Sequence, residues 1–248
     1  MLGKQAGQLA MDSRKKLDRI KTQTKVDGTK VSEVDLQLHQ LLTTGLRRMM
    51  PAMRVISEED PKVFEQSQPW QKFWLVDPLD GTSSYLSGSD EFCINVAYMQ
   101  DNQPVLGMVV APALGKLIYG GPNYGVYVNG ELQARPNSTA ALRVVHSYDE
   151  DLQAPWVNQV QSLGLSLDWL TLASSLKLAY LALGEAELYP RQGELMEWDI
   201  AAPLALLRAQ HGDLKHWDGS EVTFNKPGWK VPGFCAAQDP RQLKALGL

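Results

Sequence analysis

The chain has few cysteines, no excess of positive charge and no long apolar run, and each shortage excludes a class of protein. Two cysteines, Cys93 and Cys235, in 248 residues cannot build a disulfide framework, and neither falls in a CxxC or Cys/His metal spacing. Cys93 lies in an apolar run and reads as a small core residue; a disulfide is neither required nor ruled out. A net charge of −4 gives no basic face for a nucleic-acid polymer. The two basic clusters, Arg14-Lys15-Lys16 and Arg47-Arg48, fall in helical stretches and read as solvated helix faces. No window approaches the length of a membrane span, and the first residues, MLGKQAGQLAMDSRKK, show no cleavage signature. A reducing cytoplasm is the expected location, with association at the inner membrane surface left open. The four histidines, His39, His146, His211 and His216, show no metal spacing; His146 is expected near a site and the others at the surface.

What remains is an ordinary soluble composition, 44% hydrophobic and 21% charged, with enough length for one large domain or two packed subdomains. Residues 2–20 read as a weakly amphipathic helix, followed by the polar stretch KTQTKVDGTK with a turn at Asp27-Gly28. A helix from Ser32 to Met50 is clear. Val34, Leu38, Leu41, Leu42, Leu46 and Met49 recur at helical spacing, Ser32 is the N-cap, Asp35 suits the first turn, and Pro51 stops it. Short strands follow at Val55-Ile56 and Phe73–Val76. A hairpin joins Phe92–Met99 to Val105–Ala111, and strands at Lys116–Tyr119 and Val126–Val128 lead to a turn at Asn129-Gly130. A linker signal at Pro136-Asn137-Ser138 suggests an α+β subdomain over 1–137 and an α/β subdomain over 138–248. In the latter, Leu142–Val145 and Ala186–Tyr189 read as strands, and Leu152–Leu163, Ser174–Leu183 and Trp198–Gln210 as helices. The alternation predicts layered α and β elements.

The chemistry concentrates in WLVDPLDGT, residues 74–82. An apolar strand runs into Asp77 and Asp80, with Pro78 and Gly81 expected to turn the chain so that both carboxylates meet. Two such carboxylates repel each other and are costly to bury, and a divalent cation removes that cost. Hard oxygen ligands favour magnesium, manganese or calcium. Taken alone, a DPxDG stretch is equally a surface turn. Three further signals stand beside it: the acidic Ser57-Glu58-Glu59-Asp60 after a short strand, Trp198-Asp199 at a helix start, and Ser174-Ser175-Leu176-Lys177 at another. Each has a plain alternative as solvated loop, helix cap or exposed lysine.

In this order, SEED, WLVDPLDGT, SSLK, LYPR and WDIAA resemble the inositol monophosphatase superfamily, and within it the bacterial 3′(2′),5′-bisphosphate nucleotidases. The resemblance runs from about Lys25 to Trp217. It implies a layered αβαβα sugar-phosphatase fold and a magnesium-dependent phosphomonoester hydrolase inhibited by lithium. It also implies that Glu58, Asp77, Asp80 and Asp199 hold Mg2+ through side chains and Leu79 through its carbonyl. Asp35 and Thr82 would position the attacking water, with Glu58 the third catalytic residue. Glu58, Leu79, Asp80, Gly81, Thr82, Ser175, Lys177, Arg191 and Asp199 would meet the substrate, with Lys177 and Arg191 at its remote phosphate. Some positions depart from the pattern: His146-Ser147-Tyr148-Asp149 stands where many nucleotidases carry Ser-Arg-Ser-His.

The expected reaction is conversion of adenosine 3′,5′-bisphosphate to AMP and phosphate. The alternatives are an inositol or sugar monophosphatase and a metal-binding protein without catalysis. The partner is a small phosphate ester rather than a nucleic-acid polymer, and a homodimer is left open.

Overall fold

A computed structural model describes residues 1–25, 28–60, 62, 70–136, 141–151, 155–162 and 166–248. Helix α1 (Leu2–Arg14) leads to a small hairpin, β1 (Thr22–Thr24) and β2 (Lys30–Ser32). Helix α2 (Glu33–Met49) starts at Ser32 with reciprocal capping. Ser32 Oγ accepts the N–H groups of Val34 and Asp35, and Asp35 Oδ2 accepts the Ser32 N–H at 2.8 Å. Strands β3 (Arg54–Ser57) and β4 (Lys72–Asp80), the short helix α3 (Thr82–Leu86), and β5 (Cys93–Gln100) come next. They are followed by β6 (Gln103–Ala111), β7 (Lys116–Gly121), β8 (Gly125–Val128) and β9 (Glu131–Leu132). These strands form one seven-stranded sheet in chain order, parallel only at β3/β4. Asp101 and Asn102, at φ 51° and 59°, close the β5–β6 hairpin in the left-handed region that such two-residue turns need.

The later half supplies β10 (Ala141–His146), α4 (Pro155–Gln161), β11 (Ser166–Thr171), α5 (Leu176–Leu183), β12 (Leu188–Arg191) and β13 (Leu195–Met196). It continues with α6 (Glu197–Ala209), β14 (Asp213–His216), β15 (Lys230–Val231), β16 (Phe234–Ala237) and α7 (Pro240–Ala245). A second, five-stranded sheet has the order β11-β10-β12-β16-β14, parallel across β11-β10-β12 and antiparallel beyond.

Alternation along the strands builds the layers. On β4, Trp74 and Val76 face α1 and α2, where Ala6, Ala10, Leu38 and Leu42 are buried, while Phe73 and Leu75 face the opposite way, towards α5 and α6. Helices α5 and α6 lie between the two sheets. Val157 on α4 and Leu243 on α7 cover the outer face of the second sheet against Val144 and Leu188. The order is αβαβα. Helix α6 approaches so closely that a Cβ on Gly107 of β6 would stand 2.0 Å from the Ala202 carbonyl oxygen. That contact explains a glycine inside a strand.

Several expectations change. The DPLDG segment is not a turn beyond a strand: β4 continues through Asp80, and a bulge lies inside it. Arg14 is not solvated. It pairs with Asp90 at 2.7 Å, donates to the Gly88 carbonyl and lies 5.4 Å from the Phe92 ring centroid. The polar stretch after α1 carries the β1–β2 hairpin; Asp27 lies outside the described residues, as do Asn137, Ser138 and both ends of the helix expected over 152–163. Helix α5 begins two residues later than expected, because Ser174 takes φ 55°. Both cysteines are free and buried. His39 and His216 are partly buried, hydrogen-bonded to Ser57 Oγ and the Gly233 carbonyl. Among the described residues no helix is long and apolar enough to cross a membrane.

Candidate active site

The β4 bulge creates the site. Residues three apart on a regular strand point to opposite faces. Here Asp77 pairs with Asn95 but Asp80 with Cys93, so β4 contains one extra residue over this interval. That residue rotates Asp80 onto the face of Asp77. Helix α6 brings the third group. Asp199 in its first turn caps the helix, with Oδ2 accepting the Met196 N–H at 2.9 Å. Trp198, buried against Trp229, holds that turn in the core. Oxygens of Asp77, Asp80 and Asp199 all lie within 4.8 Å of one another.

Glu58 follows β3, where its N–H donates to the Val76 carbonyl and ties it beside β4. Its Oε1 accepts from Lys25 Nζ at 2.7 Å, and the same ammonium reaches Glu59 Oε1 at 2.6 Å. Burial lowers the pKa of the Lys25 ammonium, but the charges of Glu58 and Glu59 outweigh it and hold the proton on. Neither Lys25 nor Glu59 was singled out from sequence; the signal available was the doubled acid in SEED.

The carboxylates pay an electrostatic penalty for this gathering. Burial pushes Asp77 well above the usual carboxylate range, and the charges of Glu58, Asp80 and Asp199 push it further. Asp199 rises through burial and then through Asp80 and Glu58. Burial also raises Glu58, against the pull of Lys25, and takes Glu59 up to about 7 with help from the Glu58 charge. Such a set of hard oxygens fits a divalent cation. The Leu79 carbonyl lies at the same bulge, and the Leu79 N–H donates to Asp77 Oδ1 at 3.0 Å.

Beside the cluster, Thr82 Oγ1 stands 2.8 Å from Asp35 Oδ1 and 3.0 Å from the Leu79 carbonyl. One hydroxyl proton serves one acceptor at a time. Asp35 is buried, which raises its carboxyl despite the Ser32 and Thr82 hydrogen bonds. Gly81, at φ 83°, starts α3 in a conformation closed to most residues; a Cβ there would meet the Glu91 carbonyl at 3.0 Å.

A cavity of about 270 Å³ opens from Asp80 and Asp199 and runs past Ser175, Lys177 and Arg191 to Tyr148 and Asp149. Ser175 is anchored deep in its wall: its N–H and hydroxyl reach Asp80 Oδ2, and its Oγ lies 2.6 Å from the Asp199 carbonyl. Asn95, fully buried, donates to Ser175 Oγ at 2.9 Å and approaches Asp80 Oδ2 at 3.4 Å. Asn95 went unnoticed in the sequence, although it is the one amide in the apolar strand CINVAYM. Lys177, for which an exposed helix position was the plain alternative, is buried. It donates to the Leu172 carbonyl at 3.1 Å, and burial lowers its affinity for the proton. Arg191 is also buried, against Asp149 and Glu150.

A carboxylate cluster on a strand bulge, beside an aspartate–threonine pair and between two helix-covered sheets, defines a phosphatase of the metal-assisted class. The chain belongs to the inositol monophosphatase family, whose model matches residues 1–246. The 3′(2′),5′-bisphosphate nucleotidase CysQ of Salmonella typhimurium is 33% identical over 217 residues, covering 84% of this chain and 87% of that protein. The extragenic suppressor protein SuhB of Bartonella henselae superposes with a TM-score of 0.81 at 20% identity, covering 98% of this chain and 93% of that one. An IMPase/NADP phosphatase solved with Mg2+ and phosphate superposes at 0.78 with 21% identity, covering 97% and 90%.

Proposed function

We propose that this phosphatase is a magnesium-dependent 3′(2′),5′-bisphosphate nucleotidase that converts adenosine 3′,5′-bisphosphate to AMP and phosphate, acting in the cytoplasm. The observation that carries the reading is one continuous cavity. It is lined by Asp80 and Asp199, whose oxygens lie within 4.8 Å of each other and of Asp77, and by two buried cations, Lys177 and Arg191. A substrate with a phosphate at each end matches that layout, and the name of the Salmonella relative agrees with it.

Glu58, Asp77, Asp80, Asp199 and the Leu79 carbonyl would hold the cation. When bound, Mg2+ supplies charge that lowers the pKa of water and stabilises the phosphoryl and leaving oxygens. The chain's own groups do the positioning. Thr82 donates a hydrogen bond to Asp35 Oδ1, which leaves the Oγ1 lone pairs to accept a hydrogen bond from the attacking water and aim it at phosphorus. The N–H groups of Gly81 and Thr82, at the start of α3, would meet the phosphate. Ser175 keeps Asp80 oriented. Lys177 faces the remote end as a point charge, and Arg191 as a planar fork.

Phosphate release from adenosine 3′,5′-bisphosphate, inositol 1-phosphate and other sugar phosphates, with and without Mg2+, is the test. Release from the bisphosphate that requires Mg2+ and weakens selectively in Lys177→Ala is expected. Equal loss for both substrate types in that variant overturns the remote-phosphate role. The engaged state of Arg191 favours a second reading, an inositol or sugar monophosphatase, for which the bisphosphate is the poorer substrate.

A further inference from the structure

Two carboxylates hold Arg191 in the cavity wall, that of Asp149, which itself lines the cavity, and that of Glu150 next to it in the chain. Arg191 meets Asp149 in a two-point contact, Nη1 to Oδ1 at 2.9 Å and Nη2 to Oδ2 at 3.3 Å, and Nη1 also reaches Glu150 Oε2 at 3.2 Å. The buried Nε has no hydrogen-bond partner among the described residues. The two acids differ in freedom. The Glu150 side chain is 2% exposed, and its second oxygen accepts the Gln192 N–H at 2.9 Å, so it fixes the segment. The Asp149 side chain is 72% exposed and can leave for water at small cost. Lys177 is the reverse: its ammonium rests on the Leu172 carbonyl and 5.5 Å from the Tyr189 ring centroid, neither of which carries a formal charge.

We propose that Asp149 is a specificity residue that competes with the substrate's remote phosphate for the Arg191 guanidinium. This rests on the bisphosphate reading of the cavity. A guanidinium fork engaged by one carboxylate cannot offer the same pair of N–H groups to a phosphate. An incoming dianion therefore displaces Asp149 or sits beside its charge, whereas the Lys177 ammonium it meets is hydrogen-bonded to no carboxylate among the described residues. The exchange swaps one ion pair for another and breaks no bond. Its consequence is that this chain separates substrates with and without a second phosphate less sharply than Lys177 and Arg191 alone would.

Asp149→Asn removes the charge and keeps the size, and it leaves the Glu150 contacts that hold the segment. A dianion about 6 Å from a unit charge in a water-like dielectric gains roughly tenfold in affinity when that charge is removed. The KM for adenosine 3′,5′-bisphosphate is therefore expected to fall about tenfold relative to that for inositol 1-phosphate, with the change in KM rather than kcat. Asp149→Glu restores the original ratio. Asp149→Ser gives the same shift by a second route. A ratio that stays put, or moves towards inositol 1-phosphate, overturns the assignment. Absence of bisphosphate turnover in the unaltered enzyme defeats the nucleotidase reading and this assignment with it; turnover with an unmoved ratio defeats this assignment alone.

Discussion

Asp77→Asn is expected to stabilise the cation-free protein while abolishing its activity. Asp77 is fully buried and shares the repulsion of Asp80 and Asp199, all within 4.8 Å. At an effective dielectric of about 20, two unit charges at that distance repel by roughly 3 kcal/mol, and Asp77 takes part in two such pairs. The sum is an upper bound, because the carboxyls take up protons rather than bear it in full. A surviving gain of about 2 kcal/mol corresponds to a rise of about 4–8 °C in melting temperature for a chain of this size. Asparagine retains an oxygen for the Leu79 N–H, so no donor is orphaned. The folded-state pKa of Asp77 lies above its unfolded value, so folding holds the proton more tightly. The cation-free wild type therefore loses stability as pH rises from the unfolded value through the folded one, and the mutant's advantage grows over the same interval. Thermal melts in chelator and in Mg2+, at several pH values, read this directly. Wild type should gain melting temperature with Mg2+ and the variant should not. A variant that melts below wild type in chelator, or that still releases phosphate, refutes the reasoning.

Thr82→Val keeps the shape and removes the hydrogen bond to Asp35, so kcat is expected to fall by about 10²-fold or more; turnover near that of wild type sinks the water-positioning role. Gly107→Ala sets a methyl 2.0 Å from the Ala202 carbonyl and must move α6. A loss of about 3 kcal/mol in urea unfolding is expected, with reduced activity because α6 carries Asp199. An unfolding midpoint equal to wild type would show that the sheet and helix yield there.

Local signals carried far in this sequence because they depend on neighbours in the chain. Ser32 and Asp35 cap α2 as their spacing demands, Asp101-Asn102 turns the β5–β6 hairpin, and a tryptophan–aspartate pair opens α6. The alternation of Phe73, Trp74, Leu75 and Val76 likewise marks a strand buried on both faces. The layered architecture was legible through the family resemblance. Harder to read were the β1–β2 hairpin, polar on most positions, and the strands after Trp217, which have no strong period.

By itself, then, the chain determined the segments that carry a clear period or cap and which residue types carry the chemistry. Only the tertiary structure decided which charges meet. Nothing local announces that an extra residue in β4 turns Asp80 towards Asp77. Nor does it announce that Lys25 reaches Glu58 and Glu59, that Lys177 is buried, or that Arg191 is already engaged by Asp149. The reason is physical. Propensity and capping act over a few residues, whereas burial and ion pairing depend on which surfaces the sheets and helices bring together, here across separations as long as that from Glu58 to Asp199.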